Sequence, residues 1–335
     1  MSTPRVSVVI PAYNAQRTIA HTIQALLAQT YSGDVEIIIV DDGSTDRTPQ
    51  VIQSFREAKY IRQDNAGPAA ARNKGAATSK GVFILFTDSD CIPRKNWVET
   101  MIQCFVENTI GVVSGSYGIA NPQHFLARCI HREILFRHQQ LMPHYPKAFG
   151  SYNFGIRRHV FFEAGGFDES YRQASGEDND LSYKVFKKGY RIYFARDALV
   201  DHYHTTRINK YLKEQFRHGF WRAKMYGDHP EMARGDDYTF WKDIIEIPLA
   251  FLFCGALGFS LFRIWFLKFF ILIIAIPFLM LEICFGFKML HGISVSLYFG
   301  FVMFLRSFAR GFGLSTGILV FSYQKIVKNQ SKKIK

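Results

Sequence analysis

Short runs of apolar, β-branched residues alternate with stretches of helical periodicity from residue 6 to residue 87, and no other feature narrows the fold as much. Residues 6–10 (VSVVI) are the first run, stopped by Pro11. So short an apolar run with no polar alternation reads as a strand covered on both faces. Residues 15–29 then place Ile19, Ile23, Leu26 and Leu27 at helical spacing, and residues 36–40 (EIIIV) make a second strand, stopped by Asp41-Asp42-Gly43. Thr48-Pro49 reads as the N-cap and first residue of a helix running toward Phe55. Residues 60–63 are a weaker third strand, Gly67-Pro68 opens a helix through Ala76, and residues 82–86 (VFILF) make a fourth strand. This alternation predicts an α/β fold with a Rossmann-like, mostly parallel sheet and flanking helices.

Sheets of that kind bind ligands outside the carboxyl ends of their strands. Pro11-Ala12-Tyr13-Asn14 follows the first strand, Asp41-Asp42-Gly43-Ser44 the second, and Thr87-Asp88-Ser89-Asp90 the fourth. Each motif alone is also ordinary turn chemistry. All of them on one edge of one sheet read as a single site.

Asp88 and Asp90 put two carboxylates at i and i+2 as the chain leaves a buried strand. Carboxylate oxygens in that position suit Mg²⁺ or Mn²⁺, hard cations that keep coordination places open for phosphate oxygens. A carboxylate at 41–42 can accept from a uracil imide or a ribose hydroxyl, while Gly43 lets the backbone turn closely. Arg72 lies one turn into the helix that starts near Pro68, within reach of a diphosphate at a helix N-terminus, although its spacing equally suits a solvent-facing arginine. No G-x-G-x-x-G follows the first strand, so the dinucleotide fingerprint is absent.

Together these stretches resemble the inverting family 2 glycosyltransferases of GT-A fold. The resemblance rests on residues 6–15 (VSVVIPAYNA), 36–46 (EIIIVDDGSTD), 65–75 (NAGPAAARNKG) and 86–90 (FTDSD), and continues through 151–170 and 175–192. It implies that Pro11, Tyr13, Asn14, Asp41, Asp42, Arg72 and Asp88 bind the nucleotide sugar, with Asp42 reading the base and Asp41 supporting it. Asp88 and Asp90, with His202 of the H-x-H at 202–204, would hold the Mg²⁺ or Mn²⁺. The E-D motif is Glu177-Asp178, with the family's catalytic base falling on Asp178. Inversion is one in-line displacement, needing a carboxylate for the acceptor proton and a cation for the leaving diphosphate. No nucleophile is required, in keeping with a sequence that shows no Ser/His or Cys/His arrangement. By itself, Glu177-Asp178-Asn179-Asp180 also reads as an acidic helix start complementing the dipole. The processive synthases carry Q-x-x-R-W. Here Gln215-Phe216-Arg217-His218-Gly219 departs from it, so the expectation is transfer of one sugar or a few.

Composition matters most beyond residue 240, where apolar residues dominate a chain that carries 41 Lys and Arg against 28 Asp and Glu, a net charge of +13. Disorder, a collagen-like fibre and a wholly soluble protein all fit poorly. The expected organisation is a cytoplasmic catalytic domain over 1–228, a linker over 229–246, membrane-embedded helices over 247–323 and a basic tail over 324–335. Residues 208–226 mix Leu212, Phe216, Phe220 and Trp221 with lysines and arginines, the composition of a basic interfacial helix on anionic headgroups. Apolar runs at 247–262, 264–281 and 289–305 are long enough or nearly so to span a bilayer, helped by snorkelling of Arg263, Lys268 and Arg306; a glycine-rich run at 311–323 is shorter. Lysines 325, 328, 332, 333 and 335 place the tail in the cytoplasm, so two or four crossings are expected. The N-terminus lacks the pattern of a secretory signal, and five scattered cysteines show no disulfide framework.

The expectation is therefore an integral inner- or plasma-membrane enzyme moving a sugar from a nucleotide sugar, a UDP-sugar foremost. The acceptor would be membrane-associated, a polyprenyl-linked saccharide or a glycolipid, with residues 110–146 (Phe125, Ile134, Leu135, Phe136) on the acceptor side. The partners expected are the donor, the acceptor and the lipid bilayer, without nucleic acid. Two alternatives stay open at this level. One is a catalytically silent membrane scaffold of the same fold. The other is a phosphohydrolase with Asp88 as nucleophile, although Ile92 stands where the D-x-D-x-T/V phosphatases carry Thr or Val.

Overall fold

The computed structural model describes residues 5–234, 237, 241–260, 265–290 and 292–333. They form two compact units, Met1–Gln123 with Arg137–His204, and His124–Phe136 with Thr205–Lys335. The division thus falls after His204, and the helix expected over 208–226 belongs to the second unit.

The first unit begins β1 (Val6–Ala12), α1 (Ile19–Leu27), β2 (Val35–Asp42), α2 (Thr48–Gln53), β3 (Ala58–Gln63), α3 (Pro68–Thr78) and β4 (Phe83–Thr87). It continues through β5 (Cys91–Pro93), α4 (Trp97–Gln103) and β6 (Ile110–Ile119). After α5 (Phe125–Gln140), which supplies residues to both units, come β7 (Asn153–Arg157), α6 (Arg158–Glu163), α7 (Glu177–Lys187) and β8 (Arg191–His202). The elements expected up to residue 87 are all present, each within a few residues of its expected bounds. Thr48 is already helical, and the acceptor that caps the turn is Asp46, whose Oδ1 takes the Thr48 N–H at 2.9 Å.

One eight-stranded sheet runs in the order β3-β2-β1-β4-β7-β6-β8-β5. β1 pairs in parallel with β2 and β4, β2 with β3, and β6 with β8, whereas β7 is antiparallel to β4 and β6, and β5 to β8. β5 and β7 therefore oppose the other strands, and the sheet is mixed rather than uniformly parallel. Alternate residues feed opposite cores: Val8, Ile10, Ile37, Ile39 and Leu85 one face, Val9, Ile38, Val40, Ile84 and Phe86 the other. Burial on both faces explains why these strands read as unbroken apolar runs.

The second unit holds α8 (Ile208–Asp228), a 3₁₀ turn (Pro230–Arg234), α9 (Trp241–Ser260), α10 (Trp265–Met289) and α11 (Ile293–Lys333). Much of α8 is packed within this unit, while Phe216 is exposed. Tyr211, Gln215, Gly219, Trp221 and Met225 are buried, and Phe220 and Trp221 stack against Phe321 of α11. Gly219, Gly313 and Gly317 let the two backbones approach so closely that a Cβ at any of them would collide with a facing carbonyl.

The charged residues of this unit also depart from expectation. Arg306 is 1% exposed and does not snorkel; its Nη1 donates to both carboxylate oxygens of Glu133 at 2.8 Å. Lys242 donates to Glu246 at 2.6 Å and to Glu282 at 2.9 and 3.0 Å, all three fully buried. The expected linker is thus already helix from Trp241. From Ile293 onward the third and fourth apolar runs are one continuous helix, α11. Arg263 lies outside the described residues, as do the side chains of Lys268, Lys332, Lys333 and Lys335. Among the described residues, one helix, Ile293–Val327, is long and apolar enough to cross a membrane; the expectation of several crossings narrows to it. Phe125 packs on Tyr298 and Phe136 under Lys288, both within this unit.

Candidate active site

The loops after β1 and β2 are laced together by polar side chains. Asn14 adopts φ +49°, a conformation Asn tolerates through local hydrogen bonding. Its backbone N–H donates to Ser44 Oγ at 2.9 Å, and its Oδ1 accepts from the Thr45 N–H at 2.8 Å. Pro11 lies in β1 paired with Val40, and Tyr13 is exposed at the loop tip.

Asp41 and Asp42 are both buried, and their carboxylates are already engaged. Asp41 accepts from the Ser44 N–H at 3.0 Å and the Tyr60 hydroxyl at 2.9 Å. Asp42 accepts from Gln63 Nε2 at 2.7 Å and from the N–H groups of Ala66 and Gly67 at 2.9 Å each. A carboxylate has about four lone-pair directions, and three of those on Asp42 brace the loop into α3. In this structure Asp42 therefore ties the loop after β2 to the start of α3. Gly67, which caps α3 at φ +96°, would push any Cβ into the Arg172 carbonyl.

Arg72, one turn into α3, is buried rather than solvent-facing. Nη2 donates to Asp88 Oδ1 at 2.7 Å, Nη1 to Glu177 Oε1 at 2.9 Å, and the guanidinium lies 5.5 Å from the Phe167 ring centre. One cation thus holds the first aspartate of D-x-D and the first residue of α7. An Asp88 so held is also ill-suited as a phosphatase nucleophile, since a charge-assisted hydrogen bond dulls the attacking oxygen.

α7 starts after Gly176 at φ +98°. Glu177, 2% exposed, takes the Ser175 N–H on its second oxygen at 2.8 Å. Burial, reinforced by the Asp178 charge and opposed by Arg72, pushes Glu177 up to about 7. Asp178 is half-buried; its Oδ2 accepts from the Ser151 N–H at 3.2 Å and Oδ1 from Asn179 at 2.8 Å. Burial lifts it above the ordinary aspartate value, against the pull of Arg72 and these N–H groups.

The β5–β8 register, Cys91 opposite His202, brings Asp90 to the end of β8. His202 Nε2 stands 3.5 Å from Asp90 Oδ1, and its Nδ1 is 3.1 Å from His204 Nδ1. Donor atoms of Asp90, Cys91 and His202 all lie within 4.8 Å of one another. A half-exposed carboxylate and imidazole fit Mn²⁺ or Mg²⁺. The Cys91 thiol is fully buried and pushed well above its ordinary value by burial and by Asp90 and Asp88, and a hard cation takes carboxylate and imidazole donors before sulfur. Asp88, the other aspartate of D-x-D, bonds Arg72 through Oδ1 and is not among these three.

Residues that sequence reasoning missed sit between these groups. Tyr117 and Tyr152 stack with ring centres 3.7 Å apart, and Tyr117 also meets His202 at 5.3 Å. Fully buried Asn153 donates to the carbonyls of Ser116 and Ala198 and accepts from Trp97 Nε1 at 2.8 Å, holding β7 to β6 and β8. Asn153 opens β7, where an Asn reads as ordinary turn chemistry, so the sequence held no clear signal for it. A Ser/His pair does exist, Ser116 Oγ to His138 Nδ1 at 2.8 Å, but both are buried among Phe149, Phe194 and Tyr117.

A mixed α/β sheet with acidic residues gathered at its strand ends, followed by an acidic helix start, is the layout of a GT-A glycosyltransferase. The comparisons with known proteins agree. The model of glycosyl transferase family 2 matches residues 7–166. Glycosyltransferase AglE of Haloferax volcanii is 30% identical over 224 residues, 64% of this chain and 72% of that protein. The pre-mycofactocin glycosyltransferase of Mycobacterium tuberculosis is 28% identical over 235 residues, 68% of this chain and 48% of that protein, so the chain spans about half that relative's length. The solved mannosyltransferase PcManGT from Pyrobaculum calidifontis, in complex with GDP-Man and Mn2+, is alike in fold, with a TM-score of 0.53 at 20% identity over 68% of this chain and 64% of that one. The chain belongs to glycosyl transferase family 2 and is a glycosyltransferase.

Proposed function

We propose that this glycosyltransferase moves a sugar from a nucleotide sugar, a UDP-sugar foremost, to a membrane-associated acceptor such as a polyprenyl-linked saccharide or glycolipid, with inversion. The observation that carries this reading is the placement of Asp178: half-exposed, held by two backbone N–H groups, and lifted in pKa. Such a carboxylate is oriented without being used up. In the reaction Asp178 takes the proton of the acceptor hydroxyl as that oxygen bonds the anomeric carbon. The bond from that carbon to the diphosphate breaks, and nucleoside diphosphate leaves. Asp90 and His202 would hold the divalent cation, which when bound offsets charge on the leaving diphosphate. Asp41, Asp42, Pro11, Tyr13 and Asn14 shape the loops beside the donor.

Membrane attachment belongs to the same proposal. Ile318, Leu319, Tyr323, Ile326 and Val327 of α11 are exposed apolar side chains, and lysines follow them in the sequence. That order suits a helix seated in lipid with a basic end on anionic headgroups, on the cytoplasmic side where nucleotide sugars are available. The test is release of nucleoside diphosphate from a panel of sugar nucleotides by detergent-solubilised protein. It is run with Mn²⁺ or chelator, with membrane lipid extract as acceptor, beside Asp178→Asn. Metal-dependent release from one donor, lost in Asp178→Asn, supports the reading. Release unaffected by Asp178→Asn would remove it.

A further inference from the structure

We propose that Arg72 is a positioning residue for the transfer and that Glu177 acts only through it; this rests on the transferase reading above, in which Asp178 is the base. Glu177 cannot reach an acceptor hydroxyl as it stands. It is 2% exposed, with Oε1 bonded to Arg72 Nη1 and Oε2 to the Ser175 N–H. Asp178, one residue on, is half-exposed and bonded only to backbone N–H groups.

Arg72 joins three chain segments, α3, the end of β4 and the start of α7. Its guanidinium is a rigid planar fork, with one arm on Asp88 at the end of β4 and the other on Glu177 at the start of α7. The Phe167 ring lies 5.5 Å from the guanidinium. α3 is itself fixed at its start by Asp42, through the N–H of Gly67. A shift of α7 is therefore felt at Asp88 through one side chain. The fork also keeps a positive charge beside three carboxylates, Asp88, Glu177 and Asp178, so loss of Arg72 would leave Glu177 buried and unpaired.

The experiment is a double-mutant cycle on full-length protein in detergent, with melting temperature recorded for each variant. Glu177→Gln, which keeps an oxygen for Arg72, is expected to retain kcat within about 10-fold, whereas Asp178→Asn loses at least about 100-fold. Arg72→Met lowers kcat/KM and raises the KM for donor, and adding Glu177→Gln to it costs nothing further, because partners in one network are not additive. If Arg72→Met does not fold, Arg72→Lys, able to hold one carboxylate but not both, takes its place in the cycle. Two results overturn the proposal: kcat of Glu177→Gln as low as that of Asp178→Asn, or losses at Arg72 and Glu177 that multiply. Calorimetric binding of UDP with Mn²⁺ reads the same cycle without turnover. Equal, non-additive weakening by Arg72→Met and Glu177→Ala supports the proposal, and unchanged binding in either overturns it. A wild-type protein that binds UDP with Mn²⁺ yet releases no diphosphate from any donor counts against the transferase reading alone, since the binding cycle still decides on Arg72.

Discussion

Asp90 Oδ1 and His202 Nε2 face each other at 3.5 Å because the short strand β5 pairs antiparallel with the end of β8, setting Cys91 opposite His202. The pairing, rather than either motif, makes the cluster. His202→Ala and Asp90→Asn should therefore each weaken Mn²⁺ binding by at least about 10-fold, the scale of effects around metal sites. Cys91→Ser should leave it nearly unchanged, since a hard cation takes carboxylate and imidazole donors before sulfur. Titration of Mn²⁺ by electron paramagnetic resonance checks all three. Strong weakening in Cys91→Ser, with His202→Ala neutral, would mean that the cation sits elsewhere.

The pH dependence follows from two raised carboxyl groups. Asp178 sits above the ordinary aspartate value because of burial. A base works only when deprotonated, so activity is lost as pH falls through that raised value. The acid limb of kcat/KM should lie above the usual aspartate pKa of about 3.9, and the rate left in Asp178→Asn should lack it. Glu177, pushed up to about 7 first by burial and then by the Asp178 charge, acts on stability. The folded state holds its proton more tightly than the unfolded state. Its contribution is therefore full below the ordinary glutamate value and is lost as pH rises toward 7. The melting temperature of the wild type should fall across that window more steeply than that of Glu177→Gln. Parallel curves would contradict the assignment.

How far the sequence could be read depends on the kind of interaction involved. β1, β2 and β4 were legible because strands buried on both faces need apolar residues at every position, which leaves an unmistakable run. The strand-end carboxylates were legible as positions, since each follows such a run. Their partners were not. Arg72 and Glu177 meet across 105 residues, and Asp42 spends its lone pairs on Ala66 and Gly67, contacts set by register and loop path. The apolar C-terminal runs misled about Arg306 for a related reason: hydropathy sees a lone arginine but not the Glu133 that neutralises it from another helix.

Asp42 gives a prediction that separates bracing from base recognition. Asp42→Ala removes the acceptor for Gln63, Ala66 and Gly67 and leaves buried donors unpaired, at a cost of about 1–3 kcal/mol. Asp42→Asn keeps an acceptor oxygen but turns an NH₂ toward donors, and should cost a similar amount. Both should melt several degrees lower in thermal unfolding. A normal melting temperature with lost UDP binding would instead mark Asp42 as a direct ligand.

The last prediction concerns the ion pairs of the second unit. Glu133 and Arg306 are both buried, with Arg310, Asp243, Glu246, Lys242 and Glu282 in the same network. Two charges removed from water nearly cancel their own attraction, whereas one left alone keeps the whole desolvation penalty. Arg306→Met should therefore destabilise by about 3–5 kcal/mol, by removing the cation that bonds both oxygens of buried Glu133. Glu133→Leu should cost less than that, because Arg306 Nη2 still has Glu246 Oε2 at 3.6 Å. The double variant, apolar at both positions, should recover most of the loss. Thermal unfolding in one detergent, with all variants at one protein concentration, reads the cycle. Recovery in the double variant marks a pair whose value is in specifying how these helices pack. Additive losses would show instead that Arg306 and Glu133 each hold the unit through other neighbours, and that their 2.8 Å contact is incidental.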